Sequence, residues 1–216
     1  MSYDHYITVQ LTKNAEFSNK QCANYLMREV HHFNSHSQNT EKVAFSFPEF
    51  ALHGKLGEQF QIFGSFNALE KLYNQTGFAY LLGLKHCFVR AIRPIPKEIK
   101  HGYCAFHRDQ RHQKQTPKYV ARSEARAIRR AMEGKNTRLT CADDVLKRRA
   151  DMLKKLNDTN SQCIDIQVHS ASHESGFFLY VKAQKFESIQ LNSPTNYGLS
   201  SATQPLAVPL FLDPLF

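Results

Sequence analysis

The sequence predicts an α+β protein with an N-terminal α/β sandwich and a C-terminal α/β domain that bears an Arg-rich helix. Three observations support this fold class. The first ninety or so residues alternate between strand and helix periodicities, prolines at positions 94 and 96 interrupt the chain, and a basic stretch with a run of arginines follows them. Because such prolines favour turns and linkers, we expect the domains to span residues 1–96 and 97–216.

The first strand and the first helix are predicted from side-chain periodicity. His5–Leu11 places alternate apolar residues on one face, which is typical of a strand. Ser18 is a favourable N-cap for a helix that runs to about Phe33. The apolar side of this helix is expected to consist of Cys22, Leu26, Val30 and Phe33.

The next elements complete a recognisable order. Val43–Phe47 and Glu58–Phe63 are strand-like, and the second alternates Phe and Ile with two glutamines. Ser65 is a favourable cap for a short helix, Phe66–Asn74, and Leu84–Ile92 is the last strand before the prolines. The order strand, helix, strand, strand, helix, strand is that of a ferredoxin-like, RNA-recognition-like sandwich.

The C-terminal part is predicted as helices followed by strands. A polar basic loop leads to an Arg-rich helix at about residues 122–134, which Gly134 ends. We call it the Arg helix. A second charged helix is expected over Ala142–Leu156. The strands that follow are Cys163–His169, Phe177–Gln184 and Phe186–Leu191.

Positive charge is concentrated in one part of the chain. Residues 97–155 contain seventeen of the 28 Lys and Arg but only seven of the nineteen Asp and Glu, a net charge of +10, while the remaining residues sum to −1. Such segregation is typical of a surface that binds a polyanion such as a nucleic acid.

The four arginines of the Arg helix share one broad face, because their spacings are four, three and one residues. These residues are Arg122, Arg126, Arg129 and Arg130. Like charges on neighbouring turns repel one another by a few tenths of a kcal/mol, so the arrangement favours an external anion. A phosphate backbone is such an anion, through guanidinium contacts and counterion release. The alternative is a solvated basic surface helix.

Several other classes of protein are disfavoured. With 42% hydrophobic residues and sixteen Phe, the chain is expected to fold around a core. No apolar run approaches the length of a membrane span, and the five widely spaced cysteines are expected to be reduced thiols in a cytoplasmic protein. No Gly-rich phosphate loop precedes a helix.

The eleven histidines of the chain raise the question of metal binding. Cys104, His107 and His112 lie close together in sequence, as do His169 and His173. The paired Cys-x-x-Cys or His-x-x-Glu-His patterns of zinc sites are absent. We therefore expect neither a metal nor another cofactor.

Two adjacent histidines and a serine are candidates for chemistry. His31 and His32 lie near the end of the first helix and away from its apolar side, where a histidine either caps the helix or transfers protons near neutral pH. Ser170 follows a predicted strand, where serines usually form turns. One-dimensional spacing does not bring Ser170 to either histidine, and it leaves both histidines open.

Short motifs in a specific order resemble one protein family over nearly the whole chain. They are Asp4-His5-Tyr6, Glu16-Phe17, Ser46-Phe47-Pro48, Leu56-Gly57-Glu58, Gly83-Leu84, the Arg helix, Tyr197-Gly198-Leu199-Ser200 and Val208-Pro209-Leu210-Phe211. In these motifs the chain resembles the subtype I-F CRISPR-associated endoribonucleases, which cut precursor CRISPR RNA.

The resemblance implies roles for individual residues. His31 corresponds to the family's catalytic histidine, Ser170 to its active-site serine and Tyr197 to a tyrosine near the histidine. Arg111 and Gln113 correspond to a pair that reads base edges below the stem. Arg122, Arg126, Arg129 and Arg130 correspond to the helix that enters the major groove of the repeat hairpin.

The resemblance also implies a reaction and partners. The expected activity is metal-independent cleavage by the RNA's own 2′-hydroxyl at the base of the repeat hairpin, which leaves 2′,3′-cyclic phosphate and 5′-hydroxyl ends. The partners are the repeat hairpin, the mature CRISPR RNA and other subunits of a type I-F effector complex, with a monomer when free and no membrane. The alternatives are a non-catalytic hairpin-binding module and a basic DNA-binding subunit, the latter disfavoured because a ferredoxin-like sheet with an Arg helix suits folded RNA better.

Overall fold

The computed structural model describes residues 3–12, 18–36, 40–83, 87–109, 117–134, 144, 147, 150–151, 163–169, 176–201 and 203–214. It confirms the predicted α+β class, with helices and two antiparallel sheets. The chain divides into two compact units, one formed by residues 1–108 and 163–216 and the other by residues 109–162.

The first sheet has the strand order of a ferredoxin-like sandwich. Its strands are β1 (His5–Leu11), β2 (Ala44–Ser46), β3 (Gln59–Gly64) and β4 (Cys87–Val89), arranged antiparallel in the order β2-β3-β1-β4. The helices of this part are α1 (Asn19–Ser35), α2 (Pro48–His53), α3 (Phe66–Tyr73) and α4 (Thr76–Gly83). α2 and α4 were not predicted, and α2 begins with a proline at its first turn, where proline is well tolerated.

The last strand of the first sheet differs from the prediction. A single strand was expected over Leu84–Ile92, but β4 covers only Cys87–Val89, and a two-residue strand, β5 (Arg93–Pro94), pairs with β1 farther along. Val9 lies opposite Val89, whereas Tyr6 lies opposite Arg93. The register therefore shifts by one residue between them, which is the mark of a β-bulge.

Both faces of β3 are buried, including its glutamines. The C-terminal segment covers one face: the Phe211 ring lies 4.9 Å from that of Tyr6, and Gln59 exchanges two hydrogen bonds with the backbone of Asp213, at 2.8 and 3.0 Å. Asp213 also forms an ion pair of 3.1 Å with Arg90, and both side chains are buried. The alternation in β3 therefore separates two buried faces, and the last residues of the chain supply hydrogen-bond partners for Gln59 on the polar one.

The second sheet is formed by β6 (Tyr103–Arg108), β7 (Ile164–His169), β8 (Gly176–Phe186) and β9 (Val208–Pro209), in the antiparallel order β7-β8-β6-β9. Two strands were predicted over 177–191, but β8 is one strand, and within residues 187–191 only Gln190 forms a bridge, with Ala207. All strands of the first sheet precede residue 96 and all those of the second follow it. The compact units are divided elsewhere, so two domains divided at residue 96 stay a prediction.

The second unit contains α5 (Pro117–Met132), which includes the Arg helix. It begins five residues before the predicted start, again with a proline in its first turn. Gly134 follows it with a φ of 66°, the left-handed conformation typical of a helix C-terminus. The second helix predicted here, Ala142–Leu156, lies mostly outside the described residues; the four described ones, Asp144, Lys147, Ala150 and Asp151, are helical.

Candidate active site and RNA-binding surface

The helix α1 fixes the position of His31. Ser18 caps it as predicted, in a reciprocal capping box with Gln21. Residues along its inner side are fully buried, among them Cys22, Leu26 and Val30. This packing holds the last turns of the helix, where His31 is half-buried and His32 is exposed.

The residues Thr195–Leu199 form a tight turn, the Tyr197 turn, that presents its tyrosine to α1. The Thr195 amide donates to the Leu199 carbonyl at 2.7 Å, and the Gly198 amide donates to the Thr195 carbonyl at 2.9 Å. Gly198 has a φ of 73°, a left-handed conformation that glycine adopts without strain. A Cβ at this position would lie 2.8 Å from Val30 Cγ1 and 3.0 Å from the Phe45 amide nitrogen, so the turn approaches both α1 and β2 closely.

Hydrogen bonds fix the Tyr197 turn to its neighbours. The Phe45 amide of β2 donates to the Gly198 carbonyl at 2.8 Å. Buried Asn34, three residues after His31, donates to the carbonyls of Val43 and Thr195 at 2.9 and 3.4 Å and accepts from the Val43 amide at 2.9 Å. One side chain of α1 thus joins the helix to both segments.

This geometry brings together two of the residues predicted for the site. The rings of His31 and Tyr197 stack with centroids 4.3 Å apart and planes 15° from parallel. Ser35 Oγ lies 3.5 Å from His31 Nδ1, on the next turn of the helix. The sequence places these rings 166 positions apart, so only the fold brings them into contact.

The surroundings of His31 favour its neutral form. Burial lowers the pKa of His31 below its usual value, because the charged imidazolium loses hydration, and the adjacent His32 lowers this pKa further. Burial raises the pKa of Tyr197, and the positive charge of Arg108 opposes that shift. A neutral imidazole can accept a proton near neutral pH.

Two residues that sequence reasoning missed border the stacked pair. The Phe177 ring meets Tyr197 edge to face at 6.4 Å between centroids. The guanidinium carbon of Arg108 lies 5.8 Å from the centroid of Phe177. Arg108 belongs to the basic stretch and Phe177 begins a predicted strand, but neither pattern indicates a contact with Tyr197.

Other predicted site residues lie outside the described residues, namely Ser170, Arg111 and Gln113. The chain around Ser170 can be followed on both sides. His169 ends β7 and pairs with Gly176 of β8, and Val168 pairs with Phe177, the residue that touches Tyr197. The backbone therefore brings the end of β7 to the same region as His31.

The arginines of α5 lie on its exposed surface, as their spacing predicts. Arg122, Arg126, Arg129 and Arg130 are all exposed, whereas Ala127 is buried. Arg129 has a weak contact of 3.9 Å with Glu133. An exposed row of guanidinium groups can bind the phosphates of a nucleic acid.

Neither a metal site nor a membrane-spanning helix is found among the described residues. They contain no group of three or more His, Cys, Asp and Glu side chains that could hold a metal ion. Burial raises the pKa of the Cys104 thiol to about 12, which disfavours the thiolate that metals bind. None of the described helices is long and apolar enough to span a bilayer. Cys22, Cys87, Cys104 and Cys163 are not disulfide-bonded.

The comparisons with known proteins identify a family for this chain. The sequence model of one family, described as CRISPR-associated protein (Cas_Csy4), matches residues 6–211. No individual curated protein matches the chain significantly. The match extends from β1 to Phe211 and so includes α1 with its histidines, α5 with its arginines and the Tyr197 turn. The chain therefore belongs to the Cas_Csy4 family of CRISPR-associated proteins, the type I-F endoribonucleases.

Proposed function

We propose that this protein cuts precursor CRISPR RNA at the base of the repeat hairpin, without a metal, and then keeps the product hairpin. Membership of the family implies CRISPR RNA processing by an endoribonuclease. The observation that supports the finer proposal is the half-buried His31, stacked on Tyr197 and shifted toward its neutral form.

In the proposed reaction, His31 takes the proton of the 2′-hydroxyl at the cut site. The 2′-oxygen then attacks the adjacent phosphorus, and the bond from phosphorus to the 5′-oxygen breaks. The products are a 2′,3′-cyclic phosphate and a 5′-oxygen that takes up a proton to become a hydroxyl. Positioned general bases of this kind contribute about 10²–10⁴-fold in rate.

The neighbouring groups have distinct roles in this proposal. Stacking on Tyr197 limits rotation of the His31 ring, and the contact of Nδ1 with Ser35 leads us to assign Nε2 to the 2′-hydroxyl. Ser170 orients the 2′-hydroxyl for in-line attack. Arg108, whose guanidinium carbon lies 5.8 Å from the centroid of Phe177, stabilises charge that develops on the phosphate.

The Arg helix binds the stem in this proposal, while Arg111 and Gln113 read bases below it. Cleavage does not remove the contacts of the Arg helix, because the stem lies on the hairpin side of the cut. The protein would remain on the 3′ end of the mature RNA as a subunit of a type I-F effector complex.

A second candidate is a module that binds the hairpin without cutting it. The contact of Ser35 with His31 near the C-terminus of α1 favours this second candidate. A histidine at the end of a helix can stabilise the helix as a cap without taking part in any reaction.

Incubation of the protein with labelled repeat RNA separates the two candidates. We expect cleavage of the all-ribose RNA in excess chelator and none of RNA with one 2′-deoxy substitution at the cut site, with similar binding of both RNAs. Binding without cleavage of either RNA would identify the binding module. Cleavage that is lost in chelator and restored by magnesium would contradict the histidine mechanism.

A further inference from the structure

A polar groove runs along the first half of α1, beside the edge strand β7. Its volume is about 530 Å³. The helix contributes Lys20, Asn24 and Arg28 to its lining, and the second sheet contributes Gln167 and Phe178. We call it the α1–β7 groove.

The α1–β7 groove is in line with the proposed catalytic residues. Lys20, Asn24, Arg28 and His31 are spaced by four, four and three residues, so they share one face of α1. β7 runs beside the helix in the same sense. Lys20 Nζ contacts Asp165 at 2.8 Å near the start of β7, while Val168, near its end, pairs with Phe177 beside Tyr197.

The lining of the groove has the chemistry that binds unpaired bases. Phe178 is 48% exposed although it is a large aromatic side chain, and Gln167 is its partner on β7. Exposed aromatic rings stack on bases, and side-chain amides such as those of Asn24 and Gln167 hydrogen-bond to base edges.

The charges of the groove are largely compensated. Lys20 forms an ion pair of 2.8 Å with Asp165, and Arg28 lies 3.4 Å from Glu29 and over the ring of Tyr25. A duplex held by its phosphates needs uncompensated positive charge, which this surface has little of. The groove is therefore better suited to stacking on a single strand.

Resting on the proposed function, we infer that the α1–β7 groove binds the single-stranded RNA immediately 3′ of the cut. The strand that carries the cut phosphate passes His31, and on one side of the cut it belongs to the hairpin stem. On the other side it is unpaired. The eight-residue span from Lys20 to Arg28 rises about 12 Å, enough for roughly two or three nucleotides.

The test uses uncleavable repeat RNAs with 2′-deoxyribose at the cut site, one ending just past the cut and one continuing for about eight nucleotides, a length typical of single-strand sites. 2-Aminopurine in the longer flank reports stacking by loss of fluorescence. We expect the flank to quench and to tighten binding about fivefold or more, the range for one stacked base. Phe178→Ala should remove both effects.

The matched control is Phe88→Ala, because Phe88 is 59% exposed and lies on the first sheet, away from the groove. It should leave both effects intact. The affinity gained from the flank should also vary little between about 50 and 200 mM salt, unlike contacts to phosphates.

The inference fails if the flank neither quenches nor tightens binding to the wild-type protein, or if Phe178→Ala retains both effects. A flank without effect on the wild-type protein would favour a protein partner as the occupant of the groove. These readouts require no cleavage. If the all-ribose RNA is not cut but the flank still depends on Phe178, the proposed reaction fails and the groove assignment stands.

Discussion

At the scale of single residues, the two adjacent histidines of α1 have different surroundings. His31 is half-buried and stacked on Tyr197, whereas His32 is exposed. The sequence left both open as catalytic candidates. The contact with Tyr197 favours His31, because a ring held in one orientation is a better-placed base.

The first prediction compares alanine substitutions of the two histidines. His31→Ala should lower the single-turnover cleavage rate by about 10²–10⁴-fold, the range for loss of a general base, and leave hairpin affinity within a few-fold. His32→Ala should retain most of the rate, since its side chain is exposed. If His32 is the catalytic histidine instead, the pattern should be reversed, with His32→Ala inactive and His31→Ala active.

The second prediction concerns pH. A base must be unprotonated, so the cleavage rate should rise with pH through the His31 pKa and then level off. Because burial and His32 both lower this pKa, the midpoint of the rise should lie below about pH 6.5, the usual histidine value. His32→Ala removes a like charge, so it should move the rising limb to higher pH without lowering the plateau.

Rate–pH profiles of wild type and His32→Ala, measured in single turnover, test this prediction. A rising limb centred above about pH 8 would assign the base to a group other than histidine. An unchanged limb in His32→Ala would remove the like-charge explanation.

At the scale of elements, the Tyr197 turn and the end of α1 form one unit held by Asn34, the Phe45 amide and Gly198. Gly198 permits this arrangement through its positive φ and its lack of a side chain. Its substitution should therefore affect both stability and the site.

The third prediction compares Gly198→Ala with Gly134→Ala. Both glycines have positive φ, 73° and 66°, but among the described residues no atom lies within 4 Å of a Cβ at Gly134. Gly134→Ala should lower the free energy of unfolding by about 1–2 kcal/mol, the backbone cost alone. Gly198→Ala should cost roughly 1–3 kcal/mol more, because its Cβ would crowd Val30 and Phe45.

Denaturant unfolding measures the two costs, and cleavage assays add a second readout. Only Gly198→Ala should slow cleavage beyond its effect on the folded fraction, since only this glycine is next to Tyr197. Equal costs at the two positions would show that the Tyr197 turn has room to move.

An element could be predicted from the sequence where its formation depends on neighbouring residues. The strand β1 and the capped starts of α1 and α3 depend on neighbouring residues, and their predictions were correct. The β-bulge after β4 and the burial of Gln59 were not foreseen, because each depends on a distant segment: β1 for the first and the C-terminal segment for the second.

The candidate site shows the same limit. Periodicity placed His31 on a helix, but its contact with Tyr197 spans most of the chain. The family resemblance named both residues, whereas the interpretation of the residues alone left His31 as a possible helix cap. Phe177 and Phe178 show what the sequence could not predict. They are adjacent in sequence, yet Phe177 contacts Tyr197 and Phe178 lines the α1–β7 groove. The reason is that successive residues of a strand face opposite sides of the sheet.

At the scale of the whole molecule, positive charge is divided unequally between the compact units. Residues 109–162 contain fourteen Lys and Arg and seven Asp and Glu, so this unit accounts for +7 of the formal net charge of +9. The unit with His31 and Tyr197 is therefore close to neutral. We propose that affinity for the hairpin resides mainly in the basic unit and chemistry in the other.

The fourth prediction follows from this division. If Arg122, Arg126, Arg129 and Arg130 contact stem phosphates, each Arg→Ala change should weaken hairpin binding and reduce the salt slope of log K by up to about one unit. Lys71→Ala is the control, because Lys71 is an exposed cation on α3 of the other unit. It should leave both quantities nearly unchanged.

The same contacts determine what happens after cleavage. In the proposed reaction the stem lies on the hairpin side of the cut, so the cyclic-phosphate product would keep every phosphate contact made by the Arg helix, while the 3′ fragment would leave. The product that contains the hairpin should therefore remain bound at physiological salt, and each protein molecule should complete about one turnover.

A burst experiment with excess substrate tests this expectation. For the wild type, the burst amplitude should equal the enzyme concentration. In the quadruple Arg→Ala variant the turnover after the burst should be faster, because counterion release no longer stabilises the product complex. Rapid multiple turnover by the wild type, or unchanged affinity in the quadruple variant, would refute this account.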